Sequence, residues 1–404
     1  MKNYGLLGRK LSHSYSPAIH EAFGGYNYAL FEVEPSELAD FMARKDLHGL
    51  NVTIPYKQAV MEFCCELSPV AAEIGSVNTL VRMPGGKFYG DNTDVAGFGQ
   101  MVSQSGIDAR GKKVIIIGNG GSSLSCQYVM KDLAAGEIVI VSRANNNHEF
   151  LSMHKDARIF INTTPVGMYP DTGYQPVSLD YFPELEGVLD LIYNPARTRL
   201  MMDAEHRGIP CLGGLSMLVG QAAASSKIFT GQKIDGEKEF AVVEMLRRNM
   251  ENIILIGMPG CGKSTLGKLL AENTNRVFID TDTEIENEAK CTIPEIFSLE
   301  GETGFRAREA AIIEKYGKQS GLVIATGGGC VTYEDNYYNL RQNGSLVFVE
   351  RNLDKLDRDG RPLSQGDVCA LYEKRLPLYR RFADCSVRND EEISSVVSSI
   401  MKVL

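Results

Sequence analysis

Apolar residues in this chain cluster in short runs separated by stretches with a helical repeat. Residues 114–117, 138–141, 253–256 and 322–325 are continuous apolar runs of strand length, the pattern of strands buried on both faces. Residues 124–133, 237–250 and 266–271 instead space apolar side chains along one helix face. The adjacent Cys64 and Cys65 fall in an apolar stretch that also reads as helical. Strand and helix patterns alternate nearly throughout, which predicts an α/β chain with largely parallel sheets. No internal repeat or low-complexity tract interrupts the alternation.

A chain of 404 residues has room for two or three domains. The helical pattern of 237–250 ends in Arg247-Arg248, favourable charges at a helix C-terminus, and a new strand pattern starts almost at once at Ile253. The two halves therefore meet near Asn249 without a Gly/Ser or Pro linker. A net charge of −9 favours solubility and disfavours nucleic acid or an anionic membrane as partner. Local clusters of Arg and Lys still allow small anionic ligands. No apolar run reaches transmembrane length, and the N-terminus lacks a signal-peptide pattern. Nine cysteines without a CxxC pair read as reduced, mostly buried thiols of a cytoplasmic protein.

The densest chemistry lies at residues 257–265, Gly-Met-Pro-Gly-Cys-Gly-Lys-Ser-Thr, between a strand pattern and a helix pattern. That context suits a loop whose backbone N–H groups surround phosphate oxygens. Gly260, Gly262 and Thr265 belong to the cradle, Lys263 neutralises phosphate charge, and Ser264 is placed to hold Mg²⁺. Asp280, at the end of the next strand pattern, supports the same Mg²⁺, and Asp282 is placed to accept substrate hydroxyls. Arg306 is read at the start of a helix, and Gly328 within a Gly-Gly-Gly turn. Arg306 and Arg375 suit bidentate recognition of a carboxylate, while Arg361 suits closure over the phosphates.

The first half holds a second glycine loop. Gly118, Gly120 and Gly121 follow the 114–117 strand and open a helix, as in a dinucleotide site, with Ser123 in place of a third glycine. The next strand pattern ends in Ser142-Arg143. An Arg there suits a 2′-phosphate, hence NADP over NAD; the alternative is a solvated turn residue. Upstream, Ser14, Ser16, Thr53, Lys57, Asn78 and Asp94 stand at loop positions, where together they suit a polyol. Lys57 can protonate a forming alkoxide, and Asp94 can orient Lys57 and hold it charged.

Residues 1–248 resemble shikimate dehydrogenase. The motifs are the Ser-x-Ser-Pro loop, Asn-Val-Thr-x-Pro-x-Lys, Val-Asn-Thr, Asp-Asn-Thr-Asp, Tyr193-Asn194-Pro195 and Gly214-x-x-Met217-Leu-Val-x-Gln221. Residues 251–404 resemble shikimate kinase, through the P-loop, Asp-x-Asp, Phe-Arg-x-x-Glu, Gly-Gly-Gly, Arg-Pro-Leu and Arg-x-Pro-x-Tyr. The resemblance implies a dehydrogenase-like region, 1–249, followed by a P-loop kinase domain, 250–404, with a parallel sheet flanked by helices. Within the former, 1–97 with 216–249 form an α/β substrate domain and 98–215 a Rossmann-like NADP domain. It implies NADPH-dependent reduction of 3-dehydroshikimate, then ATP- and Mg²⁺-dependent phosphorylation of shikimate, in aromatic amino acid biosynthesis. Lys57 and Asp94 become the catalytic pair of the first reaction, with Ser14, Ser16, Thr53, Asn78, Tyr193 and Gln221 on the substrate. Gly214 and Met217 join the cofactor loop. In the second reaction Asp282, Arg306, Gly328 and Arg375 hold shikimate, and Lys263 and Arg361 act on the phosphates. A homo-oligomer is allowed by this reading. So are a quinate/shikimate dehydrogenase fused to another small-molecule kinase, and a chain with one active domain. Only 144–158 separates the 138–141 strand from the next one, which implies a small cofactor sheet.

Overall fold

The structure is a computed structural model and describes residues 3–11, 14–357 and 367–403. The strand patterns assemble into three sheets. The first contains β1 (Asn3–Gly8), β2 (Asn27–Glu32), β3 (Leu47–Val52), β4 (Cys64–Leu67), β5 (Thr79–Arg82) and β6 (Phe88–Asp91), ordered β2-β1-β3-β5-β6-β4. β1 runs parallel to β2 and β3, whereas β5 is antiparallel to both β3 and β6. The β5–β6 connection is a tight turn, closed by Met83 N–H to the Lys87 carbonyl at 2.8 Å, and so short a link permits only antiparallel pairing.

The second sheet contains β7 (Lys113–Ile117), β8 (Glu137–Val141), β9 (Ile159–Asn162), β10 (Gly187–Asp190) and β11 (Cys211–Gly213). Its order is β11-β10-β9-β7-β8, and every pair is parallel. Its core joins Val114, Ile116 and Ile161 to Phe98 and Met101 of helix Asp94–Ser105 and to Cys126 and Met130 of helix Gly121–Asp132. Strand order reverses beside β7, and such a switch point opens a crevice at the strand C-termini.

The third sheet contains β12 (Asn252–Ile256), β13 (Val277–Asp280), β14 (Leu322–Ala325), β15 (Gly344–Glu350) and β16 (Cys385–Arg388), ordered β13-β14-β12-β15-β16 and wholly parallel. The fully buried Ile254, Leu255, Val323, Leu346 and Val347 explain its unbroken apolar runs. Contacts divide the chain into two compact units. One comprises Met1–Val166, Tyr174–Tyr193 and Asp203–Leu246; the other comprises Gly167–Gly173, Asn194–Met202 and Arg247–Leu404.

Several local expectations are corrected. Cys64 and Cys65 open strand β4 instead of lying in a helix. The next helix cannot reach back to them, because Ser68 is its N-cap and Pro69 its first residue, and a residue before proline avoids helical geometry. All nine cysteines are free, but only Cys126, Cys261 and Cys330 are buried, while Cys65 and Cys369 are exposed. Ser16 begins helix Ser16–Phe23 and Asp94 begins helix Asp94–Ser105, so neither is a loop residue. Arg306, read at the start of a helix, lies early in the helical segment that follows a break at Gly301 (φ 69°) within Ile293–Gly317.

Candidate active sites

In the first unit, a cavity of about 230 Å³ is lined by Ser14, Ser16, Thr53, Lys57, Asn78 and Asp94. Tyr193, Gly214, Met217 and Gln221 also line it, so the residues expected on substrate converge there. Lys57 is carried past the end of β3 by a turn in which Tyr56 N–H bonds the Thr53 carbonyl at 3.0 Å, and its own carbonyl accepts Val77 N–H at 2.8 Å. Its Nζ donates to Asp94 Oδ2 at 2.5 Å. Asp94 is the first residue of its helix, where the helix dipole favours a carboxylate.

Asn78 fixes the other side of Asp94. Its Oδ1 accepts the Thr93 N–H at 2.7 Å, which sets the amide so that Nδ2 donates to Asp94 Oδ1 at 2.8 Å. Both carboxylate oxygens are thereby held and the ammonium is aimed at the cavity. Gln221 projects from helix Leu215–Thr230, its Nε2 donating to the Leu218 carbonyl at 2.9 Å. Burial raises the Tyr193 hydroxyl above its ordinary pKa, so it remains a neutral hydrogen-bonding group.

The glycine loop beside this cavity runs from the end of β7 into helix Gly121–Asp132. A Cβ on Gly118 would stand 2.4 Å from Thr163 Oγ1, so this position excludes a side chain. Ser123, in the place of a third glycine, is fully buried and accepts a bond from Gln127 Nε2 at 3.2 Å. Asn145 closes the turn after β8, accepting Ser142 N–H at 2.6 Å, which leaves Arg143 exposed. An exposed guanidinium after the second strand of the sheet fits the added phosphate of NADP. Gly214 and Met217, expected at the cofactor, share the wall that carries Lys57 and Asp94.

In the second unit, a cavity of about 420 Å³ contains Gly260, Gly262, Lys263, Ser264 and Thr265. Lys263 is buried, and its Nζ donates to the Gly257 and Met258 carbonyls at 2.9 Å each, which coils the loop around the ammonium. Ser264 Oγ donates to Asp280 Oδ2 at 2.5 Å. Asp280 Oδ1 caps helix Thr281–Ala289 through Asp282 N–H at 3.1 Å. A hydroxyl and a carboxylate side by side on the wall are hard oxygen donors that fit Mg²⁺.

Asp282, Arg306, Gly328 and Arg375 line the same cavity. Arg306 Nη1 donates to Glu309 Oε2 at 2.6 Å, and Glu309 is fully buried. Burial raises the Glu309 pKa above the ordinary carboxylate value, and the adjacent Arg306 charge and hydrogen bond only partly oppose it. Phe297 and Phe305 stack 4.7 Å apart on this side. Arg375 Nη1 and the Tyr379 hydroxyl both donate to the Gly328 carbonyl, at 3.2 and 2.5 Å, which locks the glycine turn against helix Val368–Phe382. Arg361 lies outside the described residues.

The walls also contain residues that motif reasoning did not assign. Asn51 and Ser122 line the first cavity, and Glu286, Phe297, Glu309 and Arg351 the second. Glu309 had a signal, its i+3 spacing from Arg306; Arg351 had none, because it follows an apolar strand without a motif around it.

Among known families, the shikimate kinase model matches residues 259–404, and the shikimate dehydrogenase substrate-binding domain model matches residues 6–80. The chain is 36% identical over 270 residues to shikimate dehydrogenase (NADP(+)) of Clostridium perfringens, covering 61% of this chain and 99% of that one. A chorismate mutase/shikimate 5-dehydrogenase fusion from Clostridium acetobutylicum superposes with a TM-score of 0.57 at 36% identity, over 61% of this chain and 97% of that one. Shikimate 5-dehydrogenase from Thermus thermophilus, in complex with NADP(H) and shikimate, gives a TM-score of 0.55 at 28% identity, with 61% and 99% covered.

Proposed function

We propose two consecutive reactions for this chain, which belongs to the shikimate dehydrogenase family and carries a shikimate kinase domain behind it: reduction of 3-dehydroshikimate to shikimate, then phosphorylation of shikimate. It is a bifunctional shikimate-pathway enzyme in this reading. The observation that carries the first step is the Lys57–Asp94 contact at 2.5 Å in the wall of a polar cavity beside a dinucleotide loop. We assign residues 1–249 to the dehydrogenase and 250–404 to the kinase.

In the first step NADPH supplies the hydride. Lys57 donates a proton to the oxygen that becomes alkoxide, and its positive charge stabilises that oxygen as charge develops. Asp94 keeps the ammonium in place and Asn78 keeps Asp94 in place. Ser14, Ser16, Thr53, Tyr193 and Gln221 bind the ring hydroxyls and carboxylate. Arg143 and the loop at Gly118, Gly120 and Gly121 take the cofactor phosphates, with Ser142 beside them.

In the second step ATP supplies the phosphoryl group. Lys263 and the amides of the loop at Gly260, Gly262 and Thr265 neutralise its phosphates, and Ser264 and Asp280 hold Mg²⁺. Arg306 and Arg375 clamp the acceptor carboxylate, Gly328 supplies backbone contact, and Asp282 orients the hydroxyl. Arg361 completes the charge neutralisation. With no helix long and apolar enough to cross a membrane among the described residues, a cytoplasmic setting accords with soluble cofactors.

The test is a coupled assay starting from 3-dehydroshikimate with NADPH or NADH, with and without ATP and Mg²⁺. The expected result is NADPH oxidation followed by shikimate 3-phosphate. NADPH oxidation without any phosphorylated product would reduce the second half to a nucleotide-binding or inactive domain. Faster reaction with quinate in the reverse direction would reassign the substrate.

A further inference from the structure

Arg351 stands immediately after β15, in the wall of the larger cavity. A guanidinium carries five N–H donors and no acceptor. Among the described residues, its one hydrogen bond runs from Nη1 to the Gly260 carbonyl at 3.4 Å, a length at which such bonds are weak. That carbonyl also takes the Asp357 N–H at 3.3 Å, so the acceptor is shared between two long bonds. Arg351 Nε is shielded from solvent and has no hydrogen-bond partner among the described residues. Buried donors are seldom left in that state, because the lost hydration is not replaced.

The location says what completes them. Nη1 lies 3.9 Å from the point a Cβ on Gly262 would occupy, so the charge sits against the phosphate-cradling turn itself. Asn389 Nδ2 donates to the Cys261 carbonyl at 2.7 Å, which holds this turn in place from the same sheet edge. Lys263 Nζ stands at another point of the loop, on the carbonyls of Gly257 and Met258. The loop thus carries two cationic groups at different points along its length. A planar guanidinium pairs with phosphate oxygens through parallel bonds, a geometry an ammonium cannot supply.

We propose that Arg351 is a nucleotide-binding residue of the second unit, its guanidinium taking a phosphate oxygen of ATP at the Gly260–Gly262 turn. The assignment rests on reading that unit as an ATP-dependent kinase. It places a phosphate contact on the rigid end of a central strand. It also gives the chain a nucleotide arginine independent of the segment that contains Arg361.

The experiment measures ADP and adenosine binding to the full chain by calorimetry, for the native protein and for Arg351→Met and Arg351→Lys. Loss of a charge-assisted bond weakens ADP on the order of 10–100-fold in Arg351→Met and less in Arg351→Lys. Adenosine, which has no phosphate, is held equally by all three. In kinetics the KM for ATP rises while the KM for shikimate stays put. An ADP Kd within twofold of native in Arg351→Met overturns the proposal, as does an equal loss for adenosine. If Arg351→Met unfolds, Arg351→Lys decides the matter through the same ADP-against-adenosine comparison. A native chain that binds ADP no better than Lys263→Ala overturns the kinase reading instead, so the two failures are distinguishable.

Discussion

Asn78 donates its Nδ2 to Asp94 Oδ1 at 2.8 Å while Lys57 donates its Nζ to Asp94 Oδ2 at 2.5 Å. One carboxylate is held from both sides, by a neutral amide whose orientation is set by backbone and by a cation free to face the cavity. The arrangement separates the group that moves a proton from the groups that aim it.

Lys57→Ala removes the proton donor and the charge beside the forming alkoxide. Dehydrogenase kcat is expected to fall by a factor on the order of 10²–10⁴, with modest change in KM. Initial rates of NADPH oxidation against 3-dehydroshikimate concentration check this. Near-normal turnover would remove Lys57 from the chemistry.

Much of this site is legible in the sequence, because polar residues in turns between apolar strands have few structural duties to hide among. Lys57 stands out for that reason, and Asp94 and Lys263 because each opens a helix directly after a polar or glycine-rich loop. Asn145 illustrates the limit. No motif marks it, yet its side chain closes the turn after β8, through Ser142 N–H and the Ile140 carbonyl. Cys64 and Cys65 mislead differently: a short apolar run fits helix or edge strand equally well, and the proline at 69 decides. Arg351 is silent because its function comes from where β15 ends in space.

Arg306→Ala tests the paired charges behind the kinase acceptor site. Glu309 is fully buried, and Arg306 is its near cation at 2.6 Å. Removing one member of such a pair destabilises by about 3–5 kcal/mol, because the remaining charge is stranded. Arg306→Ala should therefore both lower the denaturation midpoint and raise the KM for shikimate. Arg306→Ala with Glu309→Gln should recover most of the stability but not the KM. Recovery of both would make Arg306 a structural partner of Glu309 and nothing more.

Arg361→Ala carries the expectation drawn from sequence for the phosphate-closing arginine. Kinase kcat is expected to fall on the order of 10³ through lost transition-state stabilisation. A kcat that holds while the KM for ATP rises would make it a ground-state binding residue.

His20 gives the first unit an acid-sensitive core. It is fully buried, stacked on Tyr28 with centroids 3.9 Å apart, and burial pushes its pKa down to about 3. In the unfolded chain His titrates near 6.5, so below that pH the unfolded state binds a proton that the folded state refuses. Stability from this group is intact above about pH 6.5 and declines by up to about 1.4 kcal/mol per unit as pH falls toward 3. Urea midpoints from pH 7 to 4 should fall less steeply for His20→Gln than for the native chain. Parallel slopes would mean that His20 is protonated in the fold.

Gly97→Ala tests how helix packing places the substrate glutamine. Gly97 lies in helix Asp94–Ser105, and a Cβ there would stand 2.5 Å from the Met217 carbonyl oxygen and 2.8 Å from the Gln221 nitrogen. Both obstacles are backbone of helix Leu215–Thr230, so no side chain can swing away. Alanine gains about 1 kcal/mol in helix propensity, but forced separation of a packed interface costs about 1–3 kcal/mol. The second effect wins, and it acts on a wall of the cavity. Asp94 begins one helix and Gln221 rides on the other, so parting them widens the distance between catalytic pair and substrate contact. The KM for 3-dehydroshikimate should rise severalfold more than kcat falls, alongside a lower melting temperature. A stabilised protein with unchanged KM would show that the two helices adjust without moving Gln221.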